Sequence, residues 1–147
     1  MDPLVALAAV VAVLLGAVAI GVVARRRDGR VRATRDDESA VTAEALGLED
    51  AAFGERATLV QFSTEHCTRC PATRRVLGGI ADTRHGVAHV DVDLTQRPDI
   101  ARRFGVLQTP TTLIVDADRA VHARIGGAPR AQDVDDQLDR LLEETHA

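Results

Sequence analysis

Apolar and polar positions fall into three regimes along the chain. Residues 4–24, LVALAAVVAVLLGAVAIGVVA, form an unbroken run of twenty-one without a charged or strongly polar side chain. In a helix that run rises about 30 Å, the thickness of a bilayer's hydrocarbon core. A helix of this length buried in a protein core would carry a polar stripe, and none is present. The pattern therefore predicts a transmembrane helix over 4–24. A cleaved secretory signal is the rival reading, and it calls for a basic start and an apolar stretch of about 7–15 residues. Here the start is Met1-Asp2-Pro3, and arginines follow the span at once. Residues 25–42 lack apolar periodicity and read as a tether.

From Ala43 onward short periodic segments alternate. Ala45, Leu46, Leu48, Ala52 and Phe53 fit one amphipathic helix ending near Gly54. Ala57–Phe62 is a largely apolar run typical of a buried strand, and a helical stretch through Val76, Leu77 and Ile80 follows Cys67. Val87–Val92 reads as a second strand, and Thr95–Pro98 opens a helix with Gly105 just past its end. Thr111–Val115 and Val121–Ile125 flank Asp116–Arg119 as a hairpin, broken by Gly126-Gly127. A last helix from near Pro129 places Val134, Leu138, Leu141 and Leu142 on one face. The first two strands are joined through a helix, which makes them parallel; the last two form an antiparallel pair. The economical solution is an α/β fold with a mixed central sheet flanked by helices.

Charge sharpens this division. Residues 25–35 hold six Arg and one Asp, whereas residues 36–147 hold 12 Arg against 20 Asp and Glu. Basic residues flanking a span stay on the cytoplasmic side, so Arg25, Arg26, Arg27, Arg30, Arg32 and Arg35 predict a single-pass protein of the cell membrane with its soluble domain in the cytoplasm. The same strip lies beside lipid headgroups, as any stop-transfer flank does. An acidic domain with no Trp, no Tyr and three Phe disfavours nucleic acid as a partner. All 18 basic residues are Arg, which excludes lysine-dependent chemistry.

Both cysteines fall in Cys67-Thr68-Arg69-Cys70, where a strand hands over to a helix. Two cysteines cannot staple a fold. Three apart at a helix start, they can close a small ring, with the first thiol near free backbone amides and the positive end of the helix dipole. Arg69 and protonated His66 add positive potential, which favours the thiolate. Cys67, the N-terminal member, is the candidate attacker and Cys70 the resolving thiol. Half a zinc site is the alternative. Four ligands would then be needed, and of the five His only His85 and His89 have a usable spacing. No metal and no cofactor are expected.

A CxxC beside a βαβ pattern, followed about 40 residues on by Phe104-Gly105-Val106-Leu107-Gln108-Thr109-Pro110-Thr111, resembles the thioredoxin family over about residues 43–145. The resemblance implies a cis Thr109–Pro110 bond packed beside Cys67, with the Thr109 backbone pairing with an extended substrate. Gly126-Gly127 resembles the glycine turn flanking the same groove. Catalytic Cys67 and Cys70, with His66, Thr109, Pro110 and Gly126 as substrate-binding residues, are the site it implies. The sequence departs from the family where Trp usually precedes the first cysteine (His66) and where Gly-Pro usually separates the pair (Thr68-Arg69). The family's buried acid aligns with Gln61, an amide that cannot act as a base, and its nearby lysine aligns with Asp91.

The expected protein is a thioredoxin-like domain (43–147) on a basic juxtamembrane tether (25–42) and a transmembrane helix (4–24). Its expected activity is thiol–disulfide oxidoreduction, in the reducing direction for a cytoplasmic domain. The expected partners are protein disulfides, membrane lipid and an electron donor, either a thioredoxin reductase-like protein or a membrane thiol donor. The alternatives are an extracytoplasmic reductase of the apocytochrome or exported-protein type, and a non-enzymatic redox sensor or scaffold.

Overall fold

Alternation of buried side chains along the strands divides the core into two halves. In the computed structural model, which describes residues 3–27, 31–33 and 40–144, β2 (Ala57–Ser63) is buried at all seven positions. Val60 and Phe62 face one way and pack with Leu46, Ile100 and Phe104. Ala57 and Leu59 face the other way and pack with Leu77, Ile80, Val134 and Leu138. A strand covered on both faces has no polar side to show, which is why its sequence reads as a continuous apolar run.

The other elements follow from that strand. They are α1 (Pro3–Arg27), β1 (Val31–Ala33), α2 (Ala43–Leu46), a 3-10 turn (Asp50–Ala52), α3 (Cys70–Thr83), β3 (Val87–Asp93), α4 (Pro98–Arg103), β4 (Thr111–Asp116), β5 (Val121–Gly126) and α5 (Ala131–Glu144). The strand order is β1-β5-β4-β2-β3. β3 runs parallel to β2, with Gln61 opposite Asp91, and β4 runs antiparallel to it, with Phe62 opposite Thr111. The β4–β5 hairpin is antiparallel, with a register shift between Ile114 and Val115. Arg84 at the end of α3 reaches Asp135 and Asp139 on α5, at 2.8 and 2.5 Å, and ties together the two helices of one face.

Two expectations need correction. The single helix read over Ala43–Phe53 is split, because Gly47 takes a left-handed conformation (φ 69°) and its N–H caps the Ala43 and Glu44 carbonyls. Thr42 closes the other end of this short helix through its side-chain oxygen, 3.2 Å from the Ala45 nitrogen. Secondly, residues 25–42 are not a tether throughout. Helix α1 continues to Arg27, and Val31–Ala33 adds an edge strand antiparallel to β5, with Val31 opposite Ile125. Strand pairing is made by the backbone, so a segment without apolar periodicity can supply it. Val41 is fully buried and donates its N–H to the Arg119 carbonyl at 2.9 Å, which draws the end of the same segment into the core. Residues 28–30 and 34–39 of that segment, and His146, lie outside the described residues.

Side chains of α1 are described over 7–23, and all are exposed, Val13 and Ile20 at 71% and 73%. That stretch rises about 26 Å. Among the described residues no helix is long and apolar enough to cross a membrane.

Two glycines separate backbone packing from helix propensity. A Cβ on Gly54 would lie 2.3 Å from the Ala57 carbonyl oxygen and 2.6 Å from that of Gly86, and neither can move independently of the sheet. Gly79, in the middle of α3, has nothing within 4 Å of that position. Gly54→Ala is expected to destabilise the fold by about 1–3 kcal/mol or more. Gly79→Ala is expected to stabilise it by roughly 0.5–1 kcal/mol. Denaturant unfolding at constant pH reads both, and effects of the same sign would contradict this packing.

Candidate active site

The polarity of the strands decides what meets the cysteines. The C-terminal ends of β2, β3 and β5 and the N-terminal end of β4 all lie at one end of the sheet. The chain leaving β2 turns through residues 64–69. The Cys67 N–H donates to the Thr64 carbonyl at 3.1 Å, and the Cys70 N–H donates to the Cys67 carbonyl at 3.3 Å. Helix α3 thus begins at Cys70 rather than at Cys67, with Pro71 in its first turn, where a missing N–H costs little. Cys67 sits just ahead of the helix N-terminus and is half-buried, whereas Cys70 is 3% exposed. The two sulfurs form a disulfide, S–S 2.06 Å.

The Thr109–Pro110 bond is cis, the geometry the resemblance implies. Its loop reaches the cysteine turn through the Thr64 and Thr109 hydroxyls, 3.2 Å apart. The loop is held from three sides. Arg124 of β5 donates to the Phe104 carbonyl at 2.7 Å, the Thr111 hydroxyl donates to the Gln108 carbonyl at 2.8 Å, and the Gly127 N–H donates to the Pro110 carbonyl at 2.8 Å. Beneath it the rings of Phe104 and Phe62 stack with centroids 5.6 Å apart.

Of the residues singled out from sequence, Cys67, Cys70, Thr109, Pro110 and Gly126 come to this end of the sheet. Gly126 lies opposite Thr111, where a Cβ would be 2.7 Å from the Gln108 side-chain amide. His66 is at the same end but projects into solvent, with Glu65 as its neighbour at 3.1 Å. Gly127, the second glycine of the turn read from sequence, supplies the backbone contact to Pro110 at φ 89°. Sequence reasoning passed over one residue at this end of the sheet. Leu107 is 97% exposed in the loop before Pro110; an apolar residue in a loop carries no signal in sequence.

Beneath the disulfide, Gln61 is fully buried and uses both ends of its amide. Nε2 donates to the Cys70 carbonyl at 3.1 Å, and Oε1 lies 3.2 Å from His89 Nε2. Because Nε2 of the amide donates, Oε1 must accept, so the proton on the imidazole sits at His89 Nε2. The partner of Gln61 is therefore His89, not Asp91. Asp91 is bound elsewhere, accepting from the Ser63 hydroxyl at 2.6 Å and pairing with Arg74 of α3. Nor is Asp91 a solvated strand end, with a side chain only 16% exposed. Among the described residues no cluster of three or more His, Cys, Asp or Glu is placed to hold a metal ion, and His89 is committed to Gln61.

The thioredoxin family model matches residues 48–140 of the chain. A thioredoxin of Chlorobaculum thiosulfatiphilum is 29% identical over 90 residues, which are 57% of this chain and 82% of that protein. An SPbeta prophage-derived thioredoxin-like protein of Bacillus subtilis is 29% identical over 87 residues, 58% of this chain and 95% of the relative. Among solved structures, a mutant thioredoxin from Halobacterium salinarum superposes with a TM-score of 0.54 at 18% identity, over 60% of this chain and 76% of its own. Fold and cysteine pair together define a thioredoxin-like redox protein. The chain belongs to the thioredoxin family.

Burial lowers the pKa of His89 below its usual 6.5, and the Arg74 guanidinium pushes it the same way, opposed by Asp82. As pH falls below 6.5 the unfolded chain binds a proton at this position before the folded protein does, and stability drops. His89→Asn removes that titration. Unfolding free energy measured from pH 7.5 to 5 is expected to decline less steeply in the variant than in the parent chain, and parallel curves would exclude His89 as a source of the slope.

Proposed function

We propose that this protein is a membrane-tethered thiol–disulfide oxidoreductase that reduces protein disulfides. The observation that carries the reading is the asymmetric pair opposite cis-Pro110: Cys67 reachable from solvent, Cys70 buried, the two joined as a disulfide. In the dithiol form the Cys67 thiolate attacks one sulfur of a substrate disulfide. That bond breaks, and the substrate's other sulfur leaves as a thiolate and takes up a proton. Cys70, as a thiolate, then attacks the Cys67 sulfur, releasing the second substrate thiol and closing the Cys67–Cys70 disulfide. Two electrons have passed to the substrate, and a thiol or dithiol donor returns them to the pair.

Substrate binding falls to the rim of this site. Thr109 offers backbone groups to an extended chain beside Pro110, Gly126 keeps the groove floor free of a side chain, and His66 flanks the entrance. With Gln61 in place of a carboxylic acid, the ionisable group that Gln61 links to the resolving cysteine's backbone is His89.

Anchoring is supported by the apolar run 4–24 with its arginine flank, and by a helix apolar on every side, which requires a nonpolar surrounding. The arginine flank favours a cytoplasmic domain, where a reductase is the thermodynamically sensible direction.

Two experiments test these readings. Full-length protein in mild detergent is expected to catalyse dithiothreitol-driven reduction of insulin disulfides. Cys67→Ser is expected to abolish turnover, and Cys70→Ser to accumulate a mixed disulfide through Cys67. An inactive parent chain with every dithiol donor would instead favour the sensor reading. For topology, cells treated with a membrane-permeant reductant are labelled with an impermeant maleimide. Cys67 is expected to label only after lysis, and labelling in intact cells would place the domain outside.

A further inference from the structure

The edge strand β1 has a consequence for where the redox pair points. β1 is antiparallel to β5, so its first residue, Val31, pairs with Ile125 near the C-terminal end of β5. That end carries Gly126, opposite Thr111, and lies beside the turn that holds Cys67. One row across the sheet reads Val31, Ile125, Thr112, Gln61. The last of these is bonded to the Cys70 carbonyl at 3.1 Å. The chain arriving from α1 therefore enters the domain at the same end of the sheet as the disulfide. It does not enter at the opposite end, where β2 begins.

The distances are short. From Arg27, the last residue of α1, to Val31 there are four Cα steps, which reach at most about 14 Å. Three strand spacings from Val31 to Gln61 add about 14 Å more. The disulfide consequently lies within roughly 35 Å of Arg27 at any tilt of the domain about this junction. Leu107, 97% exposed, lies at the same end. Had β1 been free, the tether of residues 28–40 would have let the domain turn and range much further.

We propose that α1 and β1 together hold the Cys67–Cys70 pair towards the bilayer surface, and that its substrates are disulfides of membrane proteins lying close to that surface. This rests on the anchored oxidoreductase reading above, and it holds for either side of the membrane.

The test uses pre-reduced full-length protein in phospholipid vesicles, in a single turnover with no added donor. The substrate probe is a single-span peptide with one intramolecular disulfide. This is placed either five residues beyond the apolar span or beyond a 40-residue helical spacer of about 60 Å, on the vesicle face that carries the domain. The near disulfide is expected to be reduced at least about tenfold faster than the far one. Inserting 40 Gly/Ser residues between Arg30 and Val31 leaves β1 in place but frees the domain, and is expected to bring the two rates within about threefold. Equal rates in the parent protein, or a ratio unmoved by the insertion, would overturn the proposal. Insulin reduction by the same vesicles and their co-flotation with the protein report the underlying reading separately. If either is lost, that reading fails and this one with it. If both persist while near and far are reduced alike, only the facing of the site is wrong.

Discussion

Strand β2 has no exposed residue, and its two faces pack against different helices, so it is held in a single register. A slip of one position would send Phe62 under α3 and bring Gln61 among Leu46, Ile100 and Phe104, exchanging the contents of both cores. Because β3 runs parallel to β2 and β4 antiparallel, the same register also brings the exit of β2 and the entry of β4 to one end of the sheet. The cysteine turn and the cis-Pro110 loop meet there, although they stand 40 residues apart in sequence. Site geometry in this protein is a by-product of burying one strand.

That burial has a polar exception, and it lies under the redox pair. Gln61 occupies a fully buried position with both halves of its amide bonded, one to Cys70 and the other to His89. A neutral amide meets these partners without leaving an unpaired charge in the core, which a carboxylate at the same position would risk. The ionisable group is thereby moved one side chain outwards, to an imidazole at the half-buried edge of the sheet. Asp91 and Arg74, neighbours of that edge, neutralise each other and tie α3 to β3.

The two ends of the domain's covalent attachment also differ in kind. Helix α1 carries no charged side chain over residues 4–24, while β1 contributes backbone hydrogen bonds to an otherwise open edge of β5. Covering that edge protects it from pairing with another chain. It also leaves only residues 28–30 between α1 and the sheet, where a free tether would run on to residue 40.

Periodicity alone was enough for every core strand and for α3 and α5, because each buries a face or a whole surface, and burial demands apolar residues at fixed spacing; α4 was marked instead by Pro98 at its start and Gly105 past its end. The CxxC and the Thr109-Pro110 segment were likewise legible, since their chemistry is local to a few residues. Three features were not. The break at Gly47 depends on a left-handed cap within a pattern that apolar residues continue through. The pairing of β1 uses backbone groups that every residue possesses, so its composition says nothing. The choice of His89 over Asp91 as the partner of Gln61 lies between two residues on the same face of β3, two positions apart, and is decided by Arg74 and Ser63 occupying Asp91. Sequence by itself determined the core elements from Ala57 onward, their order and the reactive pair, because those follow from hydrophobic burial and from residue chemistry. Only the tertiary structure decided what stands beside that pair and which end of the sheet the chain enters, because both depend on strand register and direction.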